Sequence, residues 1–210
     1  GIREIVFPEG MEAIDDNSCS GCVDLERAVI PDSVARIAPK AFCGCPKLTF
    51  EFTGEHPHFR VETNGLVDEN GKLICLVNDQ ISGVYKIPEG VTAIGNAAFS
   101  TAYLTHRIHL TGVEIPDTVT EVGSFAFAGC EGLERLIFPA SVKKLGASIV
   151  DGCRKLKEIA ILGQEVETTG AFTGYGADGK LNPNTAILAP HTLLSWFDKE
   201  VRRNAAIGAG

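Results

Sequence analysis

A period of 23 residues constrains this chain more than any other feature. The segments FPEGMEAI, IPDSVARI, IPEGVTAIG, IPDTVTEVG and FPASVKKLG each set an apolar residue before a proline, at Pro8, Pro31, Pro88, Pro116 and Pro139. Pro8 to Pro31 and Pro116 to Pro139 are both 23 positions. Three places after the proline stand Met11, Val34, Val91, Val119 and Val142, and six places after it Ile14, Ile37, Ile94, Val122 and Leu145. Eleven after it come Cys19, Phe42, Phe99, Phe127 and Val150, and fourteen after it Cys22, Cys45, Ala102, Cys130 and Cys153. A unit this short cannot bury its own apolar face. It must stack on further units, so that equivalent residues form columns with a spacing of about 4.8 Å.

The β-branched or aromatic residue before each proline suits a short strand, which proline ends because it has no amide hydrogen to donate. The segments PKAF, NAAF and SFAF read as a single helical or 3₁₀ turn on the opposite side of the coil. Along the strand, residues two and four places before the proline point outward. These are Arg27 with Val29, Val84 with Lys86, Gly112 with Glu114, and Arg135 with Ile137, a mixed charged and aliphatic stripe that forms the candidate partner-binding face.

Two units depart from the period. Pro31 to Pro88 is 57 positions, which places about 34 extra residues (57 − 23) between coils, an insertion spanning about residues 53–84. Within it FRVETNGLVDENGKLICLV alternates apolar and polar residues around Asn70 and Gly71, a pair that favours a two-residue hairpin turn. Pro88 to Pro116 is 28 positions, leaving five extra residues near 101–109. The sequence therefore divides into a solenoid over 5–172 and a tail over 173–210. In the tail, GYGADGKLNPN is a turn-rich loop and TAILAP one more strand. Residues 191–208 read as an amphipathic helix, with Leu193, Leu194, Trp196, Phe197 and Val201 on its apolar face. That helix serves as a terminal cap or begins a further region.

The cadence IPDSVARIAPKAFCGCPKL, repeated as IPDTVTEVGSFAFAGCEGL, resembles the BspA-like leucine-rich repeat across residues 5–162, with a degenerate sixth coil around Ile161 to Phe172. The resemblance implies an α/β solenoid, a right-handed superhelix of short parallel strands and helical turns, carrying a β-hairpin insertion and a C-terminal helical cap. It also implies a bacterial surface or secreted protein engaged in adhesion and protein binding, with an unidentified protein as partner. It brings with it no catalytic residue, metal or cofactor.

Other classes are disfavoured on physical grounds. The net charge of −8 and pI near 5.1 repel phosphate backbones and anionic headgroups, and no run of apolar residues is long enough to span a membrane. Gly174, Gly176 and Gly179 match a GxGxxG spacing but run on to Pro183, where a dinucleotide fingerprint requires an opening helix. Cys19, Cys22, Cys43 and Cys45 have a superficially zinc-like spacing. Their register favours another reading: Cys22, Cys45, Cys130 and Cys153 share one repeat position, as small buried residues in a column do. Parallel side chains about 4.8 Å apart also miss the Cβ separation of about 3.8 Å that a disulfide uses. Free thiols are expected, which points to a reducing compartment or an anaerobic habitat. The resemblance points instead to the cell surface. The close pairs His56 with His58 and His106 with His109 lack a placed third ligand and read as polar loop residues. Competing functional readings are a carbohydrate-active enzyme with paired carboxylates in a groove beside the insertion, and a spacer that presents a neighbouring domain. The first coil begins at Ile5 with an open strand edge, so either an end-to-end homodimer or a flanking segment is expected there.

Overall fold

In a computed structural model, residues 1–77, 81–100, 109–168, 170–172 and 185–190 are described. The expected loop at 174–184, the GxGxxG glycines, His106 and the helix at 191–208 lie outside them.

The chain winds in coils with a strand on each of two faces. The first coil carries β1 (Glu4–Val6) and β2 (Ala13–Ile14), the second β3 (Arg27–Ile30) and β4 (Arg36–Ile37). A third coil opens with β5 (Thr49–Phe52) and is then diverted into β6 (Phe59–Glu62), β7 (Gly65–Asp68) and β8 (Lys72–Leu76). Regular coils resume with β9 (Ser82–Lys86) and β10 (Ala93–Ile94), β11 (His109–Glu114) and β12 (Glu121–Val122), and β13 (Arg135–Phe138) and β14 (Lys144–Leu145). They continue through β15 (Glu158–Ile161) and β16 (Glu167–Thr168) to β17 (Ala186–Leu188), which lies in the expected TAILAP strand. On the first face, β1-β3-β5 and β9-β11-β13-β15-β17 are two separate parallel sheets. On the second, β2 pairs β4, while β8-β10-β12-β14-β16 run parallel and are extended at one edge by β7 and β6.

Register keeps like above like. Ile94 pairs with Val122 and Val122 with Leu145, one buried column; Leu136 pairs with Ile159 in another. Three places after the proline, Val91, Val119 and Val142 are buried in one column, and Val34 is buried in the separate N-terminal core. Phe99 stacks on Phe127 with ring centroids 4.9 Å apart, close to the coil spacing that the repeat requires.

The expected helical turns do not form. Among the described residues there is no helix, and PKAF, NAAF and SFAF are hydrogen-bonded turns, so the coil is all-β. Two observations give the reason. Asn17, Ala97, Phe125 and Ser148, each nine places after its proline, are left-handed (φ 52–64°), and one left-handed residue interrupts a right-handed helix. The turn amides, moreover, donate to the next coil instead of to their own: Ala97 N–H to Ser124 O (2.9 Å), Phe99 N–H to Ala126 O (2.8 Å) and Phe127 N–H to Ile149 O (2.8 Å).

The insertion differs from the single hairpin expected. It is a three-stranded antiparallel meander, β6-β7-β8. The two-residue turn lies at Thr63 and Asn64, both left-handed (φ 48° and 61°) as a type I′ turn requires. Asn70 and Gly71 belong instead to a three-residue connection from Asp68 to Lys72. There Gly71 is left-handed (φ 79°) and the Asp68 carboxylate accepts the Asn70 and Lys72 amides at 2.9 and 2.8 Å. The meander divides the interior into two cores. Phe59, Leu66, Ile74 and Val77 pack with the N-terminal coils, whereas Val67 and Leu73, from the same strands, pack with the C-terminal coils. Tyr85 on β9 fastens the meander to the C-terminal stack by donating its hydroxyl to Thr63 O at 2.8 Å.

A candidate interaction face and an inter-coil groove

The outward side of the first-face strands is built by strand alternation. In β13 Leu136 and Phe138 are buried while Arg135 is exposed and Ile137 half-buried; in β9 Val84 and Lys86 are exposed on either side of buried Tyr85. Pairing in the five-stranded sheet puts Val84, Gly112, Arg135, Glu158 and Ala186 in one row, sets Lys86 beside Glu114, and aligns Ile137, Ala160 and Leu188 in a third row. Val84 and Leu188 are 60% and 56% exposed, the aliphatic part of this surface. The expected stripe is therefore continuous from Val84 to Ile137. Arg27 and Val29 sit apart from it in the three-stranded sheet, and both are half-buried.

Charges in these rows are largely answered within the chain. The Arg27 guanidinium hydrogen-bonds both Glu51 oxygens (2.6 and 2.8 Å) and also reaches Glu4. Those bonds hold the Glu51 carboxyl below its ordinary range and raise the Arg27 pKa. Arg135 donates to Glu158 at 2.9 Å and Lys157 to Glu134 at 2.8 Å, each pair 23 residues apart, so the repeat sets opposite charges above one another. Lys157 lowers the Glu134 pKa in the same way, first through its hydrogen bond. In contrast, Lys86 and Glu114 form no ion pair within 4 Å among the described residues.

All seven cysteines are free thiols. Their shared position has a further use that the spacing did not reveal. Cys45, Cys130 and Cys153 each donate the S–H to the carbonyl eleven places after the proline of the preceding coil: Cys19 O at 3.1 Å, Phe99 O at 3.2 Å and Phe127 O at 3.2 Å. Burial pushes the Cys130 thiol from an ordinary 9.0 up to about 12, and Cys153 is raised for the same reason. The folded state therefore holds the protonated thiol. That stabilisation is complete below an ordinary thiol pKa and is lost as pH rises from about 9 toward 12. Urea melts over this range are expected to show a steeper loss of stability for the native chain than for Cys130→Val; parallel curves contradict the assignment. Cys130 is likewise expected to react with a thiol reagent only as fast as the protein unfolds.

Both histidines of the insertion have contacts within the chain. His56 Nε2 lies 3.0 Å from Pro31 O and its ring packs between Phe52 and Phe59, while His58 Nδ1 is 3.6 Å from Glu69. Among the described residues no group of three or more His, Cys, Asp or Glu is placed to hold a metal ion.

Repeat reasoning also misses a groove of about 640 Å³ where the two halves of the solenoid meet. One wall is the end of β4 with Asp16, Arg36, Ile37 and Pro39; the floor is the outer side of β8, β10, β12 and β14. Its carboxylates are those of Asp16, which accepts the Lys40 amide (3.1 Å), Asp68, which caps the β7–β8 connection, and Glu121 on β12. Repeat spacing could not have shown the groove, because it exists only where the period is broken.

Comparison with known proteins is consistent with this architecture. A family model described as BspA type leucine rich repeat region matches residues 1–49 and 78–174 in six copies, and the unmatched interval contains the meander. Among solved structures, a leucine-rich repeat protein from Eubacterium ventriosum superposes with TM-score 0.64 at 18% identity, covering 89% of this chain and 54% of its own. The pneumococcal vaccine antigen PcpA superposes with TM-score 0.60 at 15% identity, over 94% and 65%. A leucine rich cell surface protein from Faecalibacterium prausnitzii gives TM-score 0.56 at 18% identity, over 93% and 62%. The chain thus spans between about half and two thirds of the length of these structures. No protein of curated function matches it in sequence.

Proposed function

Because the chain belongs to the BspA type leucine-rich repeat family, we propose that it is a non-catalytic module that binds a protein partner, in the manner of an adhesion or recognition surface. The reading rests on the outward face of the five-stranded sheet. Its backbone is held rigid by parallel pairing, so binding orders few groups beyond the partner's own. Val84, Lys86, Glu114, Arg135 and Ile137 supply the contacts, aliphatic side chains for burial and charges for orientation. Arg27 and Val29 extend the surface on the separate N-terminal sheet; with its guanidinium committed to Glu4 and Glu51, Arg27 contributes less than the C-terminal residues. An exposed location on a bacterial cell suits such a module, and the fluorescent or tagged chain is expected to label the surface of cells that present its partner.

The test is affinity capture from the producing organism, run in parallel with the triple variant Val84→Asp, Lys86→Glu, Ile137→Asp. All three side chains lie on the outward face, so the variant is expected to keep the native circular dichroism spectrum. A partner retained by the native chain and lost by at least about tenfold with the variant supports the reading. A partner held equally by both places the interaction elsewhere.

A further inference from the structure

The groove between the two halves has an unfinished hydrogen-bond ladder as one wall. In the regular coils the carbonyl six places after the proline accepts an amide of the following coil: Ile14 O from Ala38 (2.9 Å), Ile94 O from Gly123 (2.8 Å) and Val122 O from Gly146 (2.8 Å). The carbonyl four places after it does the same: Glu12 O from Ala35 (2.9 Å), Thr92 O from Thr120 (2.9 Å) and Thr120 O from Lys143 (2.8 Å). Ala35 O and Ile37 O break the series. Strand β4 pairs with β2 and with no other strand among the described residues, because the third coil turns away into the meander before laying its second rung. Parallel pairing directs the Arg36 N–H and C=O toward β2, so the Ile37 N–H and C=O point the other way, toward the groove that Ile37 lines. Ile37 is only 3% exposed, and its backbone N–H and C=O have no protein partner among the described residues. Unlike the edges of β1 and β17, this edge is opened within the chain, by the meander.

We propose that the groove receives an extended segment of another polypeptide, added to β4 as a third parallel rung. The bonds required are those of the regular coils: one incoming amide to Ala35 O, the Ile37 amide to the carbonyl of the next incoming residue, and an amide three residues after the first to Ile37 O. The neighbouring columns define the side chains of this rung. Its first residue continues the outward row of Ala13 and Arg36. There it lies between Arg36, whose guanidinium also pairs with Asp15 at 2.6 Å, and Lys72 on β8, which has no ion pair among the described residues. An acidic residue fits. The second continues the buried column of Ile14 and Ile37 and is aliphatic. The third sits over the tight approach that Gly95, Gly123 and Gly146 fill in other coils and is small. The chain's own rung Glu121–Val122–Gly123 has this order, with Glu121 exposed and Val122 buried. The mode is β-strand addition, in which main-chain bonds supply affinity and alternate side chains supply selection.

The probe is the amidated peptide Asp-Thr-Val-Thr-Glu-Val-Gly-Ser with a fluorophore on its N-terminus, into which the full chain is titrated and followed by fluorescence anisotropy, with hydrogen exchange read at the Ile37 amide. The expected result is saturable binding, weakened at least about tenfold when the Gly amide of the peptide is N-methylated and to a similar degree by Lys72→Glu. Exchange at Ile37 is expected to slow by at least about tenfold at saturation. Lack of saturable binding, full affinity of the N-methylated peptide, or unchanged exchange at Ile37 overturns the proposal. This site is separate from the strand-face surface, so the triple variant at Val84, Lys86 and Ile137 is expected to bind the peptide with unaltered affinity. Loss of binding there also counts against the groove.

Discussion

Replacing Phe127 with alanine is expected to lower the unfolding free energy by about 3–5 kcal/mol, the range for truncating a buried aromatic residue whose site cannot collapse. Phe127 is fully buried and stacks on Phe99, itself 1% exposed, in the coil before. Its amide and carbonyl are both engaged across coils, to Ile149 O and from Cys153 Sγ, so the backbone on either side is pinned and little relaxation can fill the cavity. Denaturant melts followed by circular dichroism measure the change. A loss below about 1 kcal/mol contradicts the column in which Phe127 is placed.

The second large effect comes from adding a single methyl group. A Cβ at Gly123 would lie 2.5 Å from Asn96 N and 2.7 Å from Gly95 C, both backbone atoms of the previous coil. Since neither can rotate away, Gly123→Ala must push the coils apart, at an expected cost of about 3 kcal/mol. Gly112→Ala is the control. Its Cβ would meet only Val84 side-chain carbons, the nearest at 3.4 Å, on the outward face. Its stability is expected to stay within about 0.5 kcal/mol of the native chain, as for other surface substitutions. Equal effects at the two glycines contradict the close coil contact on the second face.

Much of the fold was legible in the sequence because the columns are a translation of one short pattern. Pro8, Pro31, Pro88, Pro116 and Pro139 fix the phase, and Val91, Val119 and Val142 then stack without further information. The turn conformation was not legible. Left-handed backbone is read from glycine or asparagine, and three of the four left-handed residues nine places after the prolines are Ala97, Phe125 and Ser148. They adopt it because their amides are drawn to the next coil, a tertiary cause with no local signature. In the insertion, Asn70 and Gly71 outshone Thr63 and Asn64 as a hairpin turn, which hid the third strand of the meander. Of the candidate face, Val84, Lys86, Glu114, Arg135 and Ile137 follow from alternation alone. The separation of Arg27 and Val29 from the others follows from where the meander interrupts the sheet, and no spacing rule reports that.

A double-mutant cycle between Phe99 and Phe127 tests most directly the claim that coils bury one another in columns. The two residues are 28 positions apart in sequence, and their rings are stacked 4.9 Å apart. A coupling of about 0.5–1.5 kcal/mol is expected between them, while Phe42, which lies in the other core, is expected to add independently to Phe127. Additivity of Phe99 and Phe127, within experimental error, contradicts the stacked-coil account.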